Sequence, residues 1–323
     1  MPRPRILVTR RWPEAVERRL CELFDTTLNT DDHRLSADEL RAALRDFDAV
    51  LPTVSDRLDA SVLTVDAPRA RILANYGVGY SHIDVDAARA RGLVVTNTPG
   101  VLTDCTADLA LTLMLMVARR AGEGEREVRA GQWSGWRPTH LVGTRLSGKT
   151  LGIIGMGRIA IAVARRAQHG FGMKVVYFNR SPVAPAQLAG LEASACARIE
   201  DVLAQADFVS LHCPGGGANR HLIDAARLAV MKPGAFLINT ARGDVVDEAA
   251  LAAALQHGRL ASAGLDVFEA EPQIHPGLLA LENVVLLPHL GSATRETREA
   301  MGMRVVDNLV AFFDGRRPPD QVS

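Results

Sequence analysis

Residues 151–160 read LGIIGMGRIA, and this decapeptide decides the fold. An apolar run, Leu151–Ile154, enters Gly155-Met156-Gly157, and helix-forming residues follow. The spacing is G-x-G-x-x-A, with Gly155, Gly157 and Ala160 at the fixed places. In a strand–turn–helix the first glycine permits the tight turn. The second lets backbone approach a pyrophosphate, and a small third residue lets helix and sheet pack closely. The helix N-terminus offers free N–H groups and a partial positive charge to phosphates. A Gly-rich strand–helix turn with no ligand would share the glycines alone. Here Ile159, Val163 and Ala167 put an apolar stripe on the following helix, and Lys174–Phe178 reads as a second strand. That context is the one expected of a dinucleotide-binding βαβ unit.

An NAD-binding unit usually ends its second strand in an acid that holds the ribose hydroxyls. This chain has Asn179-Arg180-Ser181 there. An acid would repel a 2′-phosphate, whereas these three can donate charge-assisted hydrogen bonds to it. NADP(H) is therefore the expected cofactor, with NAD(H) possible. The alternative for Arg180 is a solvated loop residue stacked on adenine.

Working outward, short β-branched runs alternate with helical patterns along the chain. Arg5–Thr9, Ala49–Thr53, Arg71–Asn75 and Leu93–Thr96 read as strands in the first part. Lys149–Ile154, Lys174–Phe178, Phe208–His212, Ala235–Asn239, Ala263–Val267 and Val284–Leu287 do so in the second. Between them fall helices such as 37–46, opened by the capping box Ser36–Glu39, and 247–257, with Asp247 at its start. The alternation predicts an α/β protein with parallel sheets and helices on both faces. The 323 residues suit two domains, with weak boundaries near 97–101 and 133–147.

Formal net charge is zero, which argues against nucleic acid as the main partner. The most apolar stretch, Leu109–Ala118, is about half a membrane span and reads as a buried helix. The N-terminal residues hold no signal-peptide pattern, and Cys21, Cys105, Cys196 and Cys213 form no CxxC pair. A reducing cytoplasm is expected, with no membrane partner. The nine histidines show no metal-ligand spacing, so no metal is expected.

Residues 237–248, LINTARGDVVDE, place Arg242 just past a buried-strand pattern. Arginine keeps its charge, so it needs an anionic partner there, either internal or a substrate. Alone, such an arginine is more often half of a structural ion pair. His289, after Val284–Leu287 and Pro288, would alone be a turn residue.

Four stretches together carry a resemblance. They are 75–85 (NYGVGYSHIDV), 151–160, 238–247 (INTARGDVVD) with 264–272 (GLDVFEAEP), and 288–294 (PHLGSAT). Over nearly its whole length the chain resembles the D-isomer-specific 2-hydroxyacid dehydrogenases, and among them the glyoxylate/hydroxypyruvate reductases. The resemblance implies two Rossmann- or flavodoxin-like domains. Residues 1–100 and 289–323 would form a discontinuous substrate (catalytic) domain, and 101–288 the dinucleotide domain. Helices near 103–121 and 295–313 would carry the crossings. A homodimer packed through the nucleotide domains comes with the likeness, and so does a form without a regulatory extension after residue 323.

The same resemblance places the catalytic set at Arg242, Glu271 and His289. Arg242 would pair with the carboxylate of a 2-keto acid and polarise its ketone. His289 would donate the proton to the carbonyl oxygen, with Glu271 orienting it and favouring its charged form. Backbone N–H groups of Val78 and Gly79, in the Gly77-Val78-Gly79 loop, would hold the carboxylate beside Arg242 and His289. Thr106 and Asp266 match nicotinamide-side positions, and Cys213 and Pro214 adenosine-side ones. Arg158, Ile159, Thr240, Ala241, His289 and Gly291 complete the cofactor contacts alongside Gly155, Gly157, Asn179, Arg180 and Ser181. Cys213 has nothing nearby to activate it as a nucleophile.

The chain departs from the family pattern at Gly215-Gly216-Gly217, a loop expected to be more mobile. His140 occupies a segment that often carries an aromatic, and it either tunes substrate choice or is a surface residue. The implied activity is NADPH-dependent reduction of a small 2-keto acid to the D-2-hydroxy acid. A 2-ketogluconate-type sugar-acid reductase and an NAD-dependent D-glycerate dehydrogenase are the enzyme alternatives. A nucleotide-sensing corepressor is the alternative from another class.

Overall fold

The computed structural model describes residues 2–322. Two parallel sheets account for all its named strands. The chain divides into one unit of Met1–Leu102 with Ala293–Ser323 and another of Thr103–Ser292. The turn that carries His289 falls in the second unit, since the chain rejoins the first only at Ala293.

In the first unit the strands are β1 (Arg5–Val8), β2 (Asp25–Leu28), β3 (Ala49–Leu51), β4 (Ile72–Ala74) and β5 (Val94–Thr96). They lie in the order β2-β1-β3-β4-β5, and all pair in parallel. Central strands β3 and β4 are buried at every position, as apolar runs of parallel sheets must be. Helix Ala37–Asp46 opens with the expected reciprocal capping of Ser36 and Glu39. Helix Arg295–Phe313 packs against helix Glu14–Leu23 of the same unit.

The second unit holds β6 (Thr150–Ile154), β7 (Lys174–Phe178), β8 (Ala193–Ala195), β9 (Phe208–Leu211), β10 (Ala235–Asn239), β11 (Leu260–Leu265) and β12 (Val284–Leu286). Their order is β12-β11-β10-β9-β6-β7-β8, again with parallel pairing throughout. Strand order reverses between β6 and β9, and ligands of such sheets bind at the carboxyl ends beside this reversal. Alternate residues of β10 serve the two faces. Phe236 and Ile238 join the core with helices Thr103–Ala118 and Arg158–Phe171. Ala235 and Leu237 join the opposite core with helices Ile199–Gln205 and Glu248–Gln256. The Phe208 and Phe236 rings stack at 4.5 Å across neighbouring strands.

Three differences from the sequence reading have local causes. Edge strands β2 (DTTL) and β8 (ASA) are short and polar, with no apolar run to mark them. Strand β11 begins at Leu260 because its Ala, Ser and Gly residues hide a buried strand. The helix expected near 103–121 stops at Ala118, whose carbonyl accepts the Thr144 N–H at 2.7 Å. Arg120 then turns left-handed, at φ +53°, and a separate helix covers Ala121–Arg129.

Candidate active site

The turn after β6 is built as the glycine spacing requires. Gly155 has φ +92°, and a Cβ there would come within 2.8 Å of the Cys213 amide nitrogen, so no other residue fits. A Cβ at Gly157 would meet no atom within 4 Å, which leaves room for a ligand above the helix start. Helix Arg158–Phe171 has no acid in its first turn, and Arg158 is exposed. Ala160 is fully buried, as close helix–sheet packing demands. Thr240, at the end of β10, has a buried hydroxyl with no partner among the described residues. A nicotinamide dinucleotide fits this set: open space over Gly157, free N–H groups at a helix start and an unused hydroxyl.

Asn179 differs from the expectation in one respect. Its Oδ1 accepts the Met156 N–H at 2.9 Å, and its Nδ2 donates to the Ser181 carbonyl at 2.7 Å. The side chain thus braces the glycine turn from the end of β7. Arg180 and Ser181 are exposed beside it and remain the available donors.

Arg242 follows β10 by three residues, and Asn239 shapes the turn between. Asn239 Oδ1 accepts the Ala241 N–H at 3.0 Å, and its Nδ2 donates to the Arg242 carbonyl at 2.8 Å. The guanidinium donates through Nη1 to the Ala241 carbonyl at 2.6 Å and forms no ion pair among the described residues. Burial lowers its pKa from the usual range, against the pull of the nearby Glu271 and Asp244 charges. Such an arginine keeps most of its donors for an anion from outside the chain. Gly243 makes the next step possible, because a Cβ there would overlap the Phe268 carbonyl.

Glu271 and His289 meet directly. His289 Nδ1 lies 2.9 Å from Glu271 Oε2, and Glu271 Oε1 accepts the Phe268 N–H at 3.0 Å. Burial alone would raise the Glu271 carboxyl. The His289 hydrogen bond and charge, the Phe268 N–H and Arg242 together hold it below the ordinary range. The Glu271 loop has an anchor that motif reading missed. Glu248, buried in the first turn of its helix, accepts the Glu269 N–H at 2.8 Å and the His275 N–H at 3.1 Å. One carboxylate therefore pins both ends of the segment that carries Glu271. Its sequence signal, an acid next to the capping Asp247, looked like an ordinary first-turn charge.

His289 itself is left-handed, at φ +56°, which costs a non-glycine residue on the order of 1 kcal/mol or more. Asp266 holds that conformation. Its carbonyl accepts the His289 N–H at 3.0 Å, and its carboxylate accepts the N–H groups of Leu290 (2.6 Å) and Gly291 (2.8 Å). Burial pushes the Asp266 carboxyl up despite these donors. Thr106 donates its hydroxyl to the Gly291 carbonyl at 2.8 Å. Thr106 and Asp266 thus converge on the turn that presents His289.

Val78 and Gly79 belong to the first unit, in the turn after β4, and are partly exposed. Cys213 is half-buried after β9, and burial pushes its thiol up to about 11, far from a nucleophile's range. Pro214 is exposed and its carbonyl accepts Asn219 Nδ2 at 2.9 Å. Ile159 packs at the edge of the core. The 215–217 loop has fixed points: Gly216 donates its N–H to Asp244 at 2.7 Å, and a short turn covers Gly217–Asn219. His140 faces Glu127, with Nε2 2.9 Å from Oε2, and Arg137 at its Nδ1. Among the described residues no group of His, Cys, Asp and Glu is arranged to hold a metal ion, and no helix is long and apolar enough to cross a membrane.

The chain is similar to known proteins over nearly its whole length. Residues 111–291 match the model of the D-isomer specific 2-hydroxyacid dehydrogenase NAD binding domain. A glyoxylate reductase from Thermococcus litoralis is 45% identical over 327 aligned residues, covering 99% of this chain and 97% of that protein. One from Korarchaeum cryptofilum is 46% identical, covering 99% and 96%. Among solved structures, an NADPH-dependent glyoxylate/hydroxypyruvate reductase from Sinorhizobium meliloti, in complex with NADP and malonate, is 39% identical. It superposes with a TM-score of 0.88 and coverage of 99% of this chain and 97% of that one. The chain belongs to the D-isomer-specific 2-hydroxyacid dehydrogenase family.

Proposed function

We propose that this chain reduces a small 2-keto acid of the glyoxylate/hydroxypyruvate type to the D-2-hydroxy acid, with NADPH as the preferred reductant. The observation that carries the reading is Arg242. It is a half-buried guanidinium without an ion pair among the described residues, in the electrostatic reach of the carboxylate that bonds His289. A bound nicotinamide supplies the hydride to C2. Arg242 pairs with the substrate carboxylate and polarises the ketone oxygen. Val78 and Gly79 offer backbone N–H groups to a substrate carboxylate. His289 uses Nδ1 to hold Glu271, so Nε2 is the atom that gives its proton to the developing alkoxide. In oxidation the same nitrogen takes the proton back. Thr106 and Asp266 keep the His289 turn in place on the nicotinamide side.

The cofactor preference rests on Arg180 and Ser181, with Asn179 bracing the turn that presents them. Hydrogen bonds to a charged group contribute about 1.5–3 kcal/mol each, and two give roughly a hundredfold preference or more. A second copy of the chain is the proposed partner. Trp133, Trp136 and Val142 are exposed on the segment that would meet it, and large apolar side chains of this kind are common where subunits join. Sedimentation at twice the chain mass is the expected result, and monomeric behaviour at enzyme concentrations would refute it.

Initial rates with NADPH and NADH on glyoxylate test the reading. The expected result is a lower KM for NADPH, with the gap narrowing as ionic strength rises. Asn179→Asp with Arg180→Ala should reverse the preference. Equal or better use of NADH by the wild type would reduce Arg180 to a solvated loop residue.

A further inference from the structure

The Gly77-Val78-Gly79 turn is gripped by its carbonyl groups. Asn75, fully buried, donates through Nδ2 to the Gly77 carbonyl at 2.9 Å and to the Gly79 carbonyl at 3.0 Å. Asn97 Nδ2 donates to the carbonyl between them, that of Val78, at 2.8 Å. The Thr98 N–H adds a bond to the Gly77 carbonyl at 3.1 Å. Asn75 Oδ1 in turn faces His82 Nε2 at 3.0 Å. With both Nδ2 hydrogens on carbonyls, Oδ1 is the acceptor, and His82 must present an N–H to it.

In a trans peptide the N–H of one residue points opposite to the carbonyl of the residue before it. Capture of the Gly77 carbonyl by Asn75 therefore turns the Val78 N–H away from Asn75. Capture of the Val78 carbonyl by Asn97 turns the Gly79 N–H away from Asn97. Those two N–H groups have no partner among the described residues, whereas the Gly77 N–H is closed on the Asn75 carbonyl at 3.0 Å. The bonds on the carbonyls also polarise the same peptide groups and strengthen them as donors.

We propose that Asn75 and Asn97 are the positioning residues of the substrate's carboxylate site, fixing the direction in which Val78 and Gly79 offer their N–H groups. This rests on the reading that those amides receive the carboxylate of a 2-keto acid. His82 sets the sense of the Asn75 amide. A purely structural Asn would stabilise the turn without acting on substrate affinity. A positioning Asn acts on binding that is equal in ground and transition state, which raises KM and leaves kcat.

The test is steady-state kinetics of the full-length enzyme carrying Asn75→Ala or Asn97→Ala, with thermal unfolding in parallel. Oxamate, which carries the carboxylate but cannot accept hydride, is the binding probe. Asn97→Ala should raise the KM for glyoxylate and the oxamate inhibition constant together, by roughly tenfold, the size of one hydrogen bond to a charged group. Asn75→Ala, which removes two of the turn's bonds and leaves the Gly77 carbonyl only the Thr98 N–H, should raise both at least as far. In each variant kcat should stay within about threefold and the KM for NADPH should not move. Asn97 is only half-buried, so its variant decides the matter if Asn75→Ala does not fold. Unchanged glyoxylate and oxamate constants in a folded variant, or equal losses in kcat and in the KM for both substrates, would overturn the positioning role. A wild type inert toward glyoxylate and hydroxypyruvate would instead refute the proposed function beneath it.

Discussion

His289 Nδ1 and Glu271 Oε2 lie 2.9 Å apart, although 18 residues separate them in the chain. The bond commits one ring nitrogen and leaves the other for the substrate. Both partners are held from outside the pair. Asp266 fixes the left-handed His289 turn, and Glu248 pins the ends of the Glu271 segment. The pair is preorganised by two further carboxylates that need not touch the reacting atoms.

Substituting His289 by Asn should leave folding and NADPH affinity intact and lower the reduction rate by on the order of 10²-fold or more. Fluorescence titration of NADPH and single-turnover rates separate the two effects. Wild-type turnover in folded His289→Asn would remove the histidine from the chemistry.

Glu271 has a definite acid signature. Its carboxyl is held below the usual value, so its contribution to stability is present above pH ~4.5 and fades as pH falls through the lower folded value. Glu271→Gln should therefore lose less stability than the wild type as pH falls below ~4.5 in denaturant titrations. Identical pH profiles for variant and wild type would detach Glu271 from the pair.

Arg242→Lys keeps the charge but loses the planar fork. The KM for the keto acid should rise and kcat should fall, each by about tenfold or more, since one group serves both carboxylate and oxyanion. A change in the KM for NADPH alone would place Arg242 on the cofactor instead.

Gly243→Ala puts a methyl group into the Phe268 carbonyl. The clash is with backbone, so it should cost about 2–4 kcal/mol in unfolding free energy and displace the turn carrying Arg242. A variant with wild-type stability would show that the two loops can separate freely.

Much of this was legible in sequence. The 151–160 stretch gave the turn, its helix and the neighbouring strand, because strand, glycine spacing and amphipathic helix agree there. Edge strands β2 and β8 were invisible, because position in a sheet rather than hydrophobic pattern defines them. Arg242, Glu271 and His289 were named through motif order. Their contacts were not, since 28 and 17 residues of intervening chain must fold before the three approach. Asn75, Asn97, Asn239 and Glu248 were missed as brace residues for a common reason. Each works by binding backbone groups of a nearby turn, and an Asn at a strand end or a Glu in a helix's first turn carries no mark of which backbone atoms it will meet. Asn179 also braces two turns, through Oδ1 on the Met156 N–H and Nδ2 on the Ser181 carbonyl, a role that the residue type at a strand end does not mark.

The most direct measurement follows deuterium from NADPH, labelled at either face of nicotinamide C4, into glycerate formed from hydroxypyruvate. The expected product is D-glycerate, carrying deuterium at C2 from one of the two labelled cofactors. Its formation should slow by on the order of 10²-fold or more in His289→Asn, which still binds NADPH. L-Glycerate, or D-glycerate without label from either cofactor, would contradict hydride delivery to C2 in the site built by Arg242, Glu271 and His289.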